Sequence, residues 1–360
     1  MAAGDLLAPA WRAVLAGGTS LAVVLVLGRW LIPLFAARQI VEETRKGDSL
    51  RLDELHAAKR HTPTLGGLII LAGLAAATLA WTRPGDRHAL VLLACAAALG
   101  ALGLADDLKK LRRGKGIRPR VKLCGQLALG LAAGAYLALF PLEIARSEGT
   151  AAGGTTFFIP FAGGSGIDLG WAFPLLIALV TTAASNAVNL TDGLDGLAAG
   201  TSLAVALALA AIALVVAAGG EPAGVPAAAG AGEVGVFLAA LAGACLGFLR
   251  FNAHPARVFM GDTGSLAIGG ALGLAAILLK QETFLVVAGG VLVVEALSVI
   301  IQVASFKCTG RRVFLCSPLH HHFQFKGWPE TRITARFWIA GAALAVAAVT
   351  AWTYGAGGAR

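Results

Sequence analysis

Charge is scarce in this sequence. Asp, Glu, Lys and Arg make up 14% of its 360 residues, and 57% are hydrophobic, whereas a soluble domain carries about 25% charged residues. That balance excludes a water-soluble globule and describes a chain dissolved in lipid. Cysteine is also sparse: five residues, an odd number with no C-x-x-C spacing, indicate neither a disulfide framework nor a zinc ribbon. No internal repeat of the kind that marks many transporters, no low-complexity tail and no second soluble domain interrupts the pattern. Residues 1–360 therefore read as a single integral membrane domain.

What is present is a series of ten continuous apolar runs, at about 13–35, 64–82, 89–105, 123–140, 171–188, 198–218, 234–249, 265–279, 283–303 and 336–354. A hydrocarbon core ~30 Å thick needs roughly 20 helical residues, and continuity rather than alternation favours helices over a barrel. The first run is too long for a signal-peptide core and lacks a basic leader, so it reads as a retained span. The expected fold is an all-α polytopic membrane protein with about ten transmembrane helices. In the one long outer loop, residues 141–170, TTFFIPF and IDLGW flank AGGSG and predict a small external β-hairpin.

Of the 29 Lys and Arg, 22 fall in the connections after the odd-numbered runs. The positive-inside rule then puts those connections in the cytoplasm and both termini on the periplasmic side. The net charge of +9 faces anionic headgroups of membrane lipid and anionic substrates, and it calls for no nucleic acid.

The acids and histidines gather on that same predicted cytoplasmic side. LGLADDLKK closes the third run with Asp106 and Asp107 at the membrane boundary, since a charge at the bilayer centre costs about 2.5–3.5 kcal/mol on insertion scales. Two acids at a helix C-terminus oppose its dipole, so either Lys109 and Lys110 neutralise them or they hold something cationic. The connection SNAVNLTDGLDG has Asn186, Asn189, Asp192 and Asp195 and no basic residue, more polar groups than a plain turn needs. RFNAHPARVFMGDTGS carries Asn252 and Phe259, able to hydrogen-bond and stack on a base, although a Phe there also serves as an interface anchor. Its Asp262 stands just before the eighth run, in position to cap that helix. Lys59 precedes TPTLGG, and a basic stretch ends at Lys122.

SPLHHHFQFKGWPE sets His320, His321 and His322 side by side. Consecutive residues face different ways in a regular element, and Cys308 and Cys316 lack the spacing of a zinc site. Contact with phosphate and sugar, or an inert loop, remains; Pro318 ahead and Gly327 and Pro329 behind predict a loop held over the site. Inside the runs, only Glu295 is a clear candidate, read as a buried acid paired with a neighbour. A transporter would place polar groups at mid-membrane. A one-sided site at the boundary suits an enzyme whose two substrates come from different solvents.

Taken together, KRHTPTLGG, ADDLKK, SNAVNLTDGLDG, NAHPARVFMGDTGS and FKCTGRRVFLCSPLHHHFQFKGWPE resemble the phospho-N-acetylmuramoyl-pentapeptide transferase family, within the polyprenyl-phosphate N-acetylhexosamine-1-phosphate transferases. The resemblance runs from about residue 38 to 338 in the family's order. The full SPLHHHF…KGWPE string is more typical of the muramyl members than of the N-acetylglucosamine ones. The departure is Gln324, where Glu usually follows His-His-His-Phe. The resemblance implies an Mg2+-dependent transfer in the bacterial inner membrane, from UDP-MurNAc-pentapeptide to undecaprenyl phosphate, giving lipid I and UMP. It also implies a homodimer and a bent ninth helix beside a lipid groove. By motif, Asp262 is the first choice for the metal, with Asp106 or Asp107 nearby, and Asp106 is often cast as the base in this family. Lys59, Asn186, Asn189, Asp192, Asp195, Asn252 and Phe259 are expected on the nucleotide side, with Lys122 near phosphate. His320, His321 and His322 are expected to contact phosphate and sugar.

Overall fold

The computed structural model describes residues 3–41, 59, 61–140, 154–159, 166–220 and 230–357. In chain order the helices are α1 (Ala3–Ala37), α2 (Gly67–Trp81), α3 (Arg87–Arg113), α4 (Pro119–Leu139), α5 (Phe173–Thr191), α6 (Leu197–Ala217), α7 (Ala231–Asn252), α8 (Gly261–Leu278), α9 (Glu282–Ala288), α10 (Gly290–Thr309), α11 (Leu319–Phe325) and α12 (Glu330–Gly357). All ten apolar runs become helical. Among the described residues, nine helices are long and apolar enough to cross a membrane; α2 has 15 residues, roughly 22 Å of helix. The ninth run is divided at Gly289 into α9 and α10, in keeping with the expected bend. Strands β1 (Thr156–Phe158) and β2 (Gly166–Asp168) pair antiparallel, with Phe157 opposite Ile167, as the hairpin reading requires. Residues 160–165 of its turn lie outside the described residues.

Three boundaries differ from the sequence expectation. Helix α3 does not end at its acids: it continues to Arg113, closes on Gly114 in the left-handed region (φ 66°), and carries Lys110, Arg112 and Arg113 in its last turn. Cations there complement the helix dipole, so Asp106 and Asp107 sit inside the helix rather than opposing it at its end. Helix α5 runs on to Thr191, which makes Asn186 and Asn189 helical. The three histidines lie on the short helix α11, not in a loop.

Helix α8 is the central post. Every residue from Asp262 to Leu278 is buried, with α2, α3 and α5 against it. Helices in lipid gain little from hydrophobic exclusion and associate through close contact of small residues. A Cβ on Gly67 would run into the backbone of Gly264, and one on Gly103 into the backbone of Asp262. These crossings bring the start of α8 against the acidic turn of α3. At the opposite end, Arg12 of α1 grips Glu233 of α7 with two bonds of 2.7 and 2.9 Å. There Lys280 also donates to the Gly154 carbonyl (2.6 Å) and lies over the Phe173 ring, tying down the strand segment; burial lowers its pKa to about 8.

Candidate active site

Three buried carboxylates meet where α3 crosses the start of α8: oxygens of Asp106, Asp107 and Asp262 all lie within 4.8 Å of one another. Like charges this close need cations. Lys110 Nζ lies 3.0 Å from Asp106, 3.6 Å from Asp107 and 3.2 Å from Asp262, and Lys122 of α4 donates to Asp262 at 2.6 Å. The three acids nevertheless do different things. Asp107 accepts the backbone N–H groups of Asp262 (3.0 Å) and Thr263 (2.9 Å) and the Thr263 hydroxyl (2.6 Å). It therefore caps α8 from another helix, satisfying donors that have no partner within the first turn. Gly261 makes this approach possible: its φ is +71°, and a Cβ there would press on Asp107 Oδ2. Asp106 accepts the N–H of Ile117, which folds the basic connection after α3 back over the site. Asp262 accepts from Asn189, whose amide also reaches Ser265 Oγ at 2.9 Å. Asp262 is the second residue of α8 and caps nothing; the capping task that its position allowed is taken by Asp107.

Beside this cluster opens a cavity of about 370 Å³ lined by Asp262, Lys110, Lys122, Asn189 and Asp192, and farther along by Lys59, Asp195, Asn252 and Phe259. Lys59 Nζ bridges Asp195 (2.6 Å) and Glu330 (2.5 Å). Asp195 Oδ2 also takes the Ala256 N–H and lies 3.0 Å from His254 Nδ1. Asn252 spends its amide within the fold, accepting from Gly196 N–H and donating to the Val258 carbonyl. The backbone of Phe259 is pinned on both sides, its N–H to Pro63 and its carbonyl to Gly66, so its ring is held at the cavity wall.

Helix α11 closes the cavity with Pro318, His320 and His321. The three imidazoles are turned to three different partners: His320 to Glu295, His321 Nδ1 to Gln324 Oε1 at 2.7 Å, and His322 Nδ1 to the Leu315 N–H. Chemically, the cavity offers carboxylate oxygens that can hold a hard divalent cation, lysines that can neutralise phosphate, an aromatic face and two imidazoles.

Residues 89–280 match the family model described as Glycosyl transferase family 4. A phospho-N-acetylmuramoyl-pentapeptide-transferase of Desulforudis audaxviator is 46% identical over 347 residues, 92% of this chain and 96% of that protein. Proteins of the same name from Methylacidiphilum infernorum and Desulforamulus reducens are each 45% identical, over 91% and 90% of this chain and 90% and 91% of their own lengths. The chain belongs to the phospho-N-acetylmuramoyl-pentapeptide-transferase family. As a member of it with nine long apolar helices among the described residues, it is a multi-pass bacterial membrane protein.

Within this transferase, four expected site residues are not among those lining the cavity: Asn186, His322, Asp106 and Asp107. Asn186 donates to Gln126 and to the Thr182 carbonyl. One turn separates it from Asn189, about 4.5 Å along the helix, and that turn puts it in the packing between α4 and α5. His322 packs on Phe314 and Phe323 and is not among the residues that line the cavity; burial, with Lys326 beside it, lowers its pKa. Asp106 and Asp107 lie behind Lys110 and Asp262 rather than on the wall. Sequence reasoning gave no site role to Glu330, although it closes the quoted KGWPE motif. Lys110 was weighed only as a neutraliser of the α3 acids, whereas it reaches Asp262 as well.

Proposed function

We propose that the protein transfers phospho-MurNAc-pentapeptide from UDP-MurNAc-pentapeptide to undecaprenyl phosphate, forming lipid I and UMP for peptidoglycan biosynthesis. The site would face the cytoplasm of the inner membrane. The observation that carries this reading is the single cavity joining an Asp–Lys cluster to a wall holding Phe259, Asp195 and Lys59, in a chain of this family. A lipid phosphate oxygen attacks the sugar-bearing phosphorus, the bond between the two phosphates of the nucleotide breaks, and UMP leaves. Such transfer needs in-line placement and charge neutralisation more than covalent help. The second pKa of a phosphate monoester is near ~6, so the lipid phosphate is already mostly dianionic at neutral pH and the need for a base is small. Asp106 accordingly acts through charge and geometry.

The residues fit Mg2+: three buried carboxylates within 4.8 Å supply the hard oxygen donors this ion takes. Asp262 would hold it, with Asp106 or Asp107 beside it; Asp107 also accepts three bonds from the start of α8. When bound, the ion would draw charge from the pyrophosphate oxygens. Lys110 and Lys122 neutralise phosphate, Phe259 stacks on the base, Asp192, Asp195 and Asn252 shape the nucleoside end with Lys59, and His320 and His321 meet phosphate or sugar. The homodimer belongs to the same reading, and crosslinking in native membranes tests it.

The decisive experiment uses detergent-purified protein with both substrates and Mg2+, assayed for UMP. Release is expected with UDP-MurNAc-pentapeptide and not with UDP-N-acetylglucosamine, and is expected to stop with EDTA and return with Mg2+. Preference for the N-acetylglucosamine nucleotide, or activity indifferent to EDTA, would count against the reading.

A further inference from the structure

Glu295 stands within the apolar length of α10, and both it and His320 are completely buried. Its carboxylate reaches the first turn of α11 at two points. Oε1 accepts the backbone N–H of His320 at 3.1 Å, and Oε2 lies 3.0 Å from Nδ1 of the same residue. The other edge of the ring points the opposite way: Nε2 lies so near Gly193, on the α5–α6 connection, that a Cβ there would collide with it. Both Gly193 and His320 line the cavity. One side chain thus holds the backbone and the ring of a cavity residue together, and glycine on the far side leaves room for the other edge of that ring.

We propose that Glu295 is a positioning residue for the transfer reaction, fixing His320 with its proton on Nδ1 and its Nε2 lone pair toward the cavity. The proposal rests on the reading of His320 as a group that meets substrate. The buried Glu295 is taken here as a carboxylate, which only accepts hydrogen bonds, whereas a protonated Glu295 would donate to Nδ1; a neutral imidazole carries its hydrogen on one nitrogen. With Oε1 already taking a backbone N–H, Oε2 holds the hydrogen on Nδ1, and Nε2 becomes the acceptor. The hydrogen bond made by one ring nitrogen sets what the other can do. A helix cap alone would explain the bond to His320 N–H but not the 3.0 Å contact to Nδ1 from the second oxygen.

The test pairs spectroscopy with kinetics on the full-length protein. Solid-state NMR of 15N-histidine-labelled protein in lipid bilayers, with the His320 signals assigned by their loss in His320→Ala, reads the tautomer directly. Nδ1–H is expected in the wild type. Glu295→Gln can donate from its amide to Nδ1, so it is expected to move the hydrogen to Nε2. In UMP release, Glu295→Gln is expected to lower kcat by at least about tenfold, as wrong-tautomer variants do, with KM for UDP-MurNAc-pentapeptide changed less than about threefold. Added to His320→Ala, it is expected to cost less than about twofold more, because coupled residues are not additive. An unchanged His320 tautomer in Glu295→Gln would overturn the proposal, and so would losses that multiply in the double variant. The NMR result does not depend on turnover, so failure of the transferase reading would appear separately, as no UMP release by the wild type.

Discussion

Asp107 and Asp262 touch the same lysine, yet their replacement should have opposite signatures. Asp107 holds the first turn of α8; removing a helix cap costs about 1–2 kcal/mol. Asp107→Ala is therefore expected to lower the melting temperature of the purified protein as well as its turnover. Asp262→Asn keeps the amide contact available to Asn189 but loses a charge between two lysines. It is expected to cut UMP release by roughly a hundredfold or more while the melting temperature stays close to wild type. Near-normal activity at ordinary Mg2+ would remove Asp262 from the metal site. Phe259→Ala is expected to weaken UMP affinity about tenfold, the scale of one lost stacking contact, read by calorimetry. The types and positions of these residues were legible in the sequence, because acids at the edge of an apolar run are costly and so ask for a reason. Which acid caps and which faces the cavity was not legible: that depends on a contact between residues 155 apart.

The helices were the most readable feature, since each apolar run is long enough to announce itself. Their ends were less so. Apolar runs stop where lipid stops, whereas α3 and α5 continue several residues past that point. The polar residues added at those ends therefore lie on helix faces, and the turn from Asn189 back to Asn186 leaves the cavity. Pairings across elements, such as Lys59 with Glu330, leave no local trace at all. The crossing of α3 and α8 makes an expectation at this scale. Gly103→Val would force α3 away from the Asp262 backbone, and overpacking of this kind costs typically 1–3 kcal/mol. Loss of UMP release together with a lower melting temperature is expected. A variant that melts lower but turns over normally would show that the site tolerates a looser crossing.

At the scale of the whole molecule, the orientation can be read from native cysteines. Cys124 and Cys308 are exposed, and Cys316 is half-buried. All three lie at the end of the bundle that carries the aspartates, Cys124 near the start of α4 and Cys308 near the end of α10, whereas Cys95 is half-buried and Cys245 buried. An impermeant maleimide is expected to label the protein in inside-out vesicles and to spare it in right-side-out ones. The reverse pattern would put the site on the outer face.

The cap that Asp107 places on α8 also sets a schedule. At about 5–20 residues per second of synthesis, the 155 residues between Asp107 and Asp262 take roughly ten to thirty seconds to emerge. For that interval a nascent chain carries Asp107 at the membrane boundary without the helix whose first turn it is built to hold. The cell meets a transferase only when α8 arrives. A ribosome stalled after α7 leaves a membrane-inserted fragment in which Asp106 still has Lys110 of its own helix beside it but Asp107 has no helix start to cap, a mark that separates unfinished copies from finished ones.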